Sequence, residues 1–395
     1  MCGTLALGLA LVLAFYGNRG ASSLSDLPHL FLKRGIRPGA FPYIDRPLEY
    51  PVGAGLLLFV ATAIATSALG VMLVTAAGSA ALCVWIAQML RERVGAARTW
   101  RWVLALPIVL YAFQNWDVYA IAAMVFGILA FERRRDRVAG MALGLGAAVK
   151  LFPAFVVIPL LAIRLAQRDR RGALRLVATS SLTFGALNLP ILLANPHGWW
   201  WPYAFQSHRQ ATWGTVWFYA FRVFGFPVHG HSGAQLANGV ALLALAAGLA
   251  WLTVVTVRRR LLPVPAAAAA IAIFVVTGKV YSPTYDLWLV VFFILLPFGS
   301  RIWRSFVLVD LAVFVTVYGY FHGAPWAGQV RTILPVLVAV RTLVLLAFIR
   351  EATRRPTAAS ERADAAVGAG SYASGRVDRR AHALGAQALG VGTPS

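Results

Sequence analysis

Long apolar runs broken by clusters of arginine constrain this chain more than any other feature. The clusters stand at Arg91, Arg93, Arg98 and Arg101, at Arg133, Arg134, Arg135 and Arg137, and at Arg168, Arg170, Arg171 and Arg175. Further ones follow at Arg258–Arg260, at Arg301 and Arg304, and at Arg350, Arg354 and Arg355. A helix needs roughly 20 apolar residues to cross hydrocarbon, and each interval between clusters holds enough apolar sequence for two crossings. Each pair of crossings turns at a nearly uncharged, aromatic-rich point: Gln114–Asp117, Lys150–Pro153, Asn195–Arg222, Gly278–Tyr285 and Phe321–Gly328. The chain is 59% hydrophobic and 13% charged, against about 45–50% and about 25% in soluble domains. That excludes a soluble enzyme. An outer-membrane barrel is excluded too, because its strands alternate polar and apolar residues. The expected class is all-α, a polytopic integral membrane protein of about 12 transmembrane helices, with a range of about 11–13.

Arginine and lysine near span ends mark the cytoplasmic side, so the basic clusters are expected inside and the aromatic turns outside. The first span is expected at Thr4–Tyr16, and both termini face the cytoplasm of a bacterial plasma membrane. The first run is short, as a shortened start would leave it. A secretory signal is the alternative there, but no basic region precedes the run. Parity is kept if Pro51–Ser67 is a juxtamembrane helix and Leu69–Leu90 one span. Residues 1–355 then form the transmembrane domain, with a first outer loop at 17–68 and a large one at 191–235. Residues 356–395 are rich in Ala, Gly, Ser and Arg, a composition expected of a disordered cytoplasmic tail.

The net charge of +22 would suggest nucleic acid for a soluble domain. Divided by side, it does not. Ten basic residues fall outside: Arg19, Lys33, Arg34, Arg37, Arg46, Lys150, Arg209, Arg222, Lys279 and Arg331. The rest set orientation and meet anionic lipid. Asp26, Asp45, Glu49, Asp117 and Asp286 also fall at the outer side, as do His29, His197, His208, His229, His231 and His322. Chemistry is therefore expected on the outer face. Cys2 and Cys83 are too few for a disulfide framework or a metal site. Carboxylates in the first loop could take a divalent ion, but no spacing demands one, and no cofactor is required.

Within that face, Asp26 lies between Ser25 and Pro28 with no obvious local partner, whereas Asp45 and Glu49 have Arg46 and Arg37 nearby to pair with. A carboxylate beside low-dielectric lipid is a general-base candidate. Lys150 and Lys279 each stand at the end of an apolar run, where an ionisable group is a functional candidate and snorkelling to the headgroups the alternative. Asp117 opens a span, where an N-cap role is equally natural. The cluster Trp199-Trp200-Trp201-Pro202-Tyr203, with Gln206, His208, Arg209 and Gln210, reads as a carbohydrate or headgroup surface, or as an aromatic belt.

Four segments, in order, resemble glycosyltransferase family 87, a GT-C type family of the actinobacterial envelope. They are Ser25-Asp26-Leu27-Pro28 with Pro42-Tyr43-Ile44-Asp45 and Glu49-Tyr50-Pro51-Val52; Asn115-Trp116-Asp117; Gly144 to Val149 with Lys150-Leu151-Phe152-Pro153; and Lys279-Val280-Tyr281-Ser282-Pro283-Thr284-Tyr285. Thr284 stands where the family's last motif usually has Gln, and the region after Pro51 is compressed. The resemblance implies a multi-span enzyme working on the outer face, with Asp26 as general base. Its donor is a sugar on a polyprenyl phosphate, most readily mannose and next arabinose. Its acceptor is a glycolipid or lipoglycan, and a single inverting displacement yields an α-glycoside. Cations would stabilise the departing phosphate: Lys279, Lys150, Arg209 and His208, in falling order. Asp45, Glu49, Tyr50, Asp117, Trp199, Trp200, Tyr281 and Tyr285 are acceptor or loop-shaping candidates. A lipid-linked-sugar flippase is the alternative. Such a transporter would carry ionisable groups near mid-membrane, whereas here they are expected to gather at one face. A catalytically inactive envelope scaffold is the third reading.

Overall fold

A computed structural model describes residues 1–16 and 24–354. The expected tail, and the start of the first outer loop at 17–23, lie outside the described residues. The described chain is all-helical, with seventeen α-helices and two short 3-10 turns, and the polytopic class holds. Five helices are long and apolar enough to cross a membrane: α4 (Ala68–Val94), α10 (Arg170–Ala194), α13 (Gly230–Arg259), α16 (Ser300–Phe321) and α17 (Val330–Ala352) with the turn before it. Shorter apolar helices join them: α1 (Cys2–Ala14), α3 (Val52–Ile64), α9 (Phe152–Ala166), α14 (Pro263–Thr277) and the segment Pro283–Leu295. Several crossings expected at full length thus fall on helices shorter than a standard span.

Helix position follows from how far round each helix is apolar. α14 carries five consecutive alanines, and Ala266–Ala272 is buried on every side. Residues 287–294, which open α15 (Leu287–Leu295), are likewise almost fully buried. Helices apolar all round belong in the centre, and the slim alanine run lets neighbours close on it. α10 and α13 are peripheral, exposing Leu182, Leu193, Leu242 and Leu243. Leucines exposed in such number would be a liability in water and are ordinary against lipid.

The two ends of the bundle differ. At one end, α7 (Asp117–Glu132), α9 and α13 each run into an arginine at positive φ: Arg134 at 59°, Arg168 at 58° and Arg260 at 53°. The amide after each arginine reaches back to a carbonyl five residues earlier, Arg135 to Ala130, Asp169 to Arg164 and Leu261 to Thr256, which closes the helix end. Ion pairs knit this end: Arg93 to Glu132 at 3.0 Å, and the buried Arg164 to Asp136 at 2.6 Å. Here too lies α5 (Ala96–Val103), which buries Trp102 and exposes Trp100 and Arg101, the arrangement of a helix lying in the interface.

The other end holds the aromatic turns. Small residues set the spacing beneath it. A Cβ added at Gly144 on α8 (Asp136–Val149) would stand 2.3 Å from the Ser180 carbonyl oxygen of α10. α8 and α10 therefore pack backbone to backbone. From residue 24 to 68 the stretch is largely structured: Ser25 caps α2 (Asp26–Leu32), and the 13-residue α3 precedes α4. The stretch 191–235 is not one loop. Asn195 caps α11 (Pro196–His208) through the Gly198 amide at 3.0 Å, and α12 (Val216–Val223) follows before α13 begins at Gly230.

Candidate active site

Four of the five aromatic turns converge on one cavity of about 700 Å³ at that end. The turn before α7 contributes Asn115, the α8–α9 turn Lys150, the α11 region Tyr203, Gln206 and Arg209, and the turn after α14 Lys279, Ser282 and Tyr285. α2 presents Asp26 and the chain before α3 presents Glu49 and Tyr50. The wall towards lipid is apolar: Phe205 of α11 and Leu242 and Leu245 of α13, with Leu242 67% exposed on the outer surface of the bundle. The cavity joins a polar floor to a side that opens on hydrocarbon.

Asp26 is exposed into this space and held in place from three directions. Its amide donates to the Gln114 carbonyl at 3.0 Å, and the Ser25 hydroxyl reaches the same oxygen at 3.0 Å. Its carboxylate Oδ2 accepts from the Tyr50 hydroxyl and from Asn115 Nδ2 at 3.4 Å. Burial, and then the nearby Asp26 charge, push the Tyr50 phenol well above its usual range, so it remains a donor. Both contacts fall on Oδ2, which leaves Oδ1 for an incoming hydroxyl.

Lys150 and Asp117 do not act as separate groups. Lys150 Nζ pairs with Asp117 Oδ1 at 2.7 Å, with the two side chains 11% and 1% exposed. Asp117 Oδ1 also accepts from Trp288 Nε1 at 2.8 Å. The N-cap role expected of Asp117 is therefore corrected: it is the first residue of α7, and the Asn115 side chain accepts its amide at 2.9 Å. Lys150 Nζ also lies 5.3 Å from the centroid of the Tyr50 ring. A continuous set of contacts thus links Asp117, Lys150, Tyr50 and Asp26. Lys150 lines the cavity, but its charge is already partnered.

Lys279 points its ammonium at the carbonyls of Ser207 and Arg209, pinning the end of α11. Burial, with the Arg209 cation as a second cause, lowers its pKa to about 8. Arg209 donates weakly to Gln206 Oε1 at 3.4 Å and lies 5.9 Å from the Phe205 ring centroid. It has no carboxylate partner among the described residues, so its charge is open to an anion.

Other expected residues fall elsewhere. Glu49 borders the cavity but is tied to Arg34 at 3.2 Å, not to Arg37 or Arg46. Asp45 is a turn-former, accepting the Phe41 amide at 2.7 Å, and does not line the cavity. Trp199 donates to Asn188 at 2.9 Å and Trp200 is 55% exposed, so neither tryptophan lines it; Tyr203 does instead. His208 turns its ring back to the Ala204 carbonyl and lies on a different cavity. Tyr281 sits below the floor, donating to Asp286 at 2.7 Å under the Arg341 guanidinium, which is 3.4 Å from its ring centroid.

That last contact belongs to a group not anticipated from the sequence. Asp310 in mid-α16 accepts from the Tyr111 hydroxyl at 2.6 Å, and Arg341 in mid-α17 donates to the Gly214 carbonyl at 2.6 Å. Ionisable residues are therefore not confined to one face. The expected gathering of charge at one face, which would set the chain apart from a transporter, is corrected by Asp310 and Arg341. These charges are held by fixed partners that brace the turn carrying Tyr285, which stacks on Trp288 at 4.2 Å. Two lone charges in long apolar runs were the available signal. Asn238 of α13, donating to the Ser207 carbonyl at 2.7 Å, is a further cavity residue of the same kind.

The model of glycosyltransferase family 87 matches residues 49–283, more than half of the sequence. The chain belongs to glycosyltransferase family 87. It is a membrane glycosyltransferase of GT-C type. No curated protein matches the chain. The family match contains Tyr50, Asn115, Asp117, Lys150, Arg209 and Lys279, but it begins beyond Asp26. Asp26 is joined to the matched region by the hydrogen bonds from Tyr50 and Asn115. Among the described residues no group of three or more His, Cys, Asp or Glu is placed to hold a metal ion.

Proposed function

We propose that this glycosyltransferase moves a sugar from a polyprenyl-phosphate donor to a hydroxyl of a glycolipid or lipoglycan acceptor, with Asp26 as general base. The observation that carries this reading is the shared cavity. An exposed, doubly oriented carboxylate faces the same space as Lys279 and Arg209, and that space is bounded towards lipid by apolar side chains. A lipid-borne phosphate can enter from the bilayer side with its chain against Leu242 and Leu245, and its head reaches the cations without leaving the interface.

In the proposed step the acceptor hydroxyl attacks the anomeric carbon as its proton passes to Asp26 Oδ1. The new carbon–oxygen bond forms as the bond from that carbon to the phosphate oxygen breaks, and polyprenyl phosphate departs with the electron pair. A single displacement inverts the anomeric centre. Arg209 and Lys279 lie where the departing phosphate gains charge, and such placed cations lower the barrier. Tyr50 and Asn115 orient the base, and the Lys150–Asp117 pair supports Tyr50 from behind. Mannose is the first donor to test and arabinose the second, on the strength of the family resemblance. In this reading the cavity end faces outward from the plasma membrane, and the basic end and both termini face the cytoplasm, as the distribution of arginine favours. Residues 1–355 act as one catalytic domain.

The test is transfer by purified protein in liposomes, using polyprenyl phosphates that carry mannose, arabinose, glucose or galactose. Transfer from a lipid phosphate sugar to an extracted envelope glycolipid is the expected result. Transfer from nucleotide sugars alone would overturn the donor class, and translocation of lipid-linked sugar without transfer would establish the flippase.

A further inference from the structure

A second cavity of about 1030 Å³ lies beside the first and shares Arg209 with it. Its walls come from the α11–α12 connection, α12, α16 and the first turns of α17. Three arginines line it: Arg209, Arg222 of α12 and Arg331 of α17. Two histidines join them: His208, its ring turned to the Ala204 carbonyl, and His229, its ring 3.3 Å from Gln210 Oε1. Trp213 and Tyr320 form an aromatic wall, edge to face at 5.1 Å. No carboxylate lines the cavity, and none among the described residues pairs with any of the three arginines.

This concentration of positive charge runs against what orientation in the membrane needs. Arginines that set topology belong at the other end of the bundle, where six clusters already stand. Like charges gathered in one concavity repel each other unless an anion joins them. The N-terminal turn of α17, a 23-residue helix, supplies Val330 and Arg331 to the wall, and its dipole adds to the positive potential there. Guanidinium groups match the paired oxygens of phosphate better than any other side chain.

We propose that the second cavity binds a phosphate ester through Arg222, Arg331 and His229, with Arg209 shared between it and the sugar-transfer cavity. The ester is either the headgroup of an anionic lipid or a soluble phosphate. The binding claim stands without the proposed reaction; only the consequence of sharing Arg209 rests on it. That consequence is competition: an anion in the second cavity draws Arg209 away from the donor phosphate.

The experiment uses full-length protein purified in a neutral detergent and in phosphatidylcholine nanodiscs. Phosphate binding is read by phosphorus NMR with inorganic phosphate and glycerol phosphate. Retention of lipid is read by native mass spectrometry after exchange into nanodiscs containing phosphatidylglycerol. The comparison is wild type against R222Q/R331Q and the charge-keeping R222K/R331K. Loss of two charge-assisted hydrogen bonds should weaken binding by about tenfold or more in the Gln pair, and the Lys pair should recover part of it. Binding of soluble phosphate with that pattern supports the site and identifies a free ester. Stoichiometric phosphatidylglycerol without soluble phosphate supports it and identifies a lipid headgroup. Absence of both in wild type overturns the proposal, and so does binding equal in wild type and R222Q/R331Q. An unchanged thermal unfolding midpoint of the Gln pair separates lost binding from lost fold. Because every readout is binding, a failed sugar-transfer reaction leaves this result standing.

Discussion

Replacing Lys150 with methionine keeps most of the side-chain volume and removes one charge from a buried pair. In the native protein its ammonium stands 2.7 Å from an Asp117 carboxylate that is 1% exposed. Breaking such a pair by removing one partner costs about 3–5 kcal/mol, because the remaining charge stays buried without compensation. Trp288 Nε1 still donates to the stranded oxygen at 2.8 Å, which places the expected loss near the lower bound, about 3 kcal/mol. Lys150→Met combined with Asp117→Asn removes both charges and keeps an acceptor for Trp288, so the double variant should lie within about 1 kcal/mol of wild type. The assay is thermal unfolding of purified protein in one detergent, scanned at one rate. The single variant is expected to melt about 5 °C below wild type and the double variant to recover most of that. A Lys150→Met protein that melts with wild type would refute the argument. So would a double variant whose loss equals the sum of the two single losses.

Two further expectations follow from the same geometry. The depressed Lys279 pKa of about 8 means that its ammonium, protonated at lower pH, discharges as pH rises through that value. The KM for a lipid-phosphate donor should therefore climb between about pH 7 and 9, a range in which an ordinary lysine at about 10.4 stays charged. Lys279→Arg, always protonated, should flatten that rise, and a wild-type KM constant across the range would exclude Lys279 from the donor phosphate. At Gly144 any side chain meets the Ser180 backbone at 2.3 Å. Gly144→Val should then separate α8 from α10 at a cost of about 1–3 kcal/mol, seen as a lowered melting temperature, and wild-type stability would show that the helices do not pack there.

Much of the architecture is legible in the sequence because lipid punishes misplaced charge. The turns at Gln114–Asp117, Lys150–Pro153 and Gly278–Tyr285 all reach the same cavity, and they were marked by polar residues at the ends of apolar runs. Pairings across the chain were not legible. Lys150 and Asp117 are separated by two helices, and nothing local shows that each neutralises the other. The Tyr50 contact to Asp26 depends likewise on how α2 docks on the turn at Gln114. The tryptophans at 199 and 200 looked like a binding surface because aromatic clusters serve both binding and belts. Their directions on α11 decide the matter, and only Tyr203 of that cluster reaches the cavity along with Pro202. Asp310 and Arg341 are legible as lone charges in long apolar runs, but their partners, Tyr111 and the Gly214 carbonyl, lie more than a hundred residues away.

Asp26 carries the proposed chemistry. Asn at this position keeps the shape and the contact from Tyr50 but cannot take a proton. General-base catalysis is worth about 10²–10⁴-fold in rate, so single-turnover sugar transfer by Asp26→Asn should fall by that factor while donor binding and the melting temperature stay at wild-type values. Transfer at the wild-type rate by a correctly folded Asp26→Asn protein would contradict the assignment of Asp26 as the base.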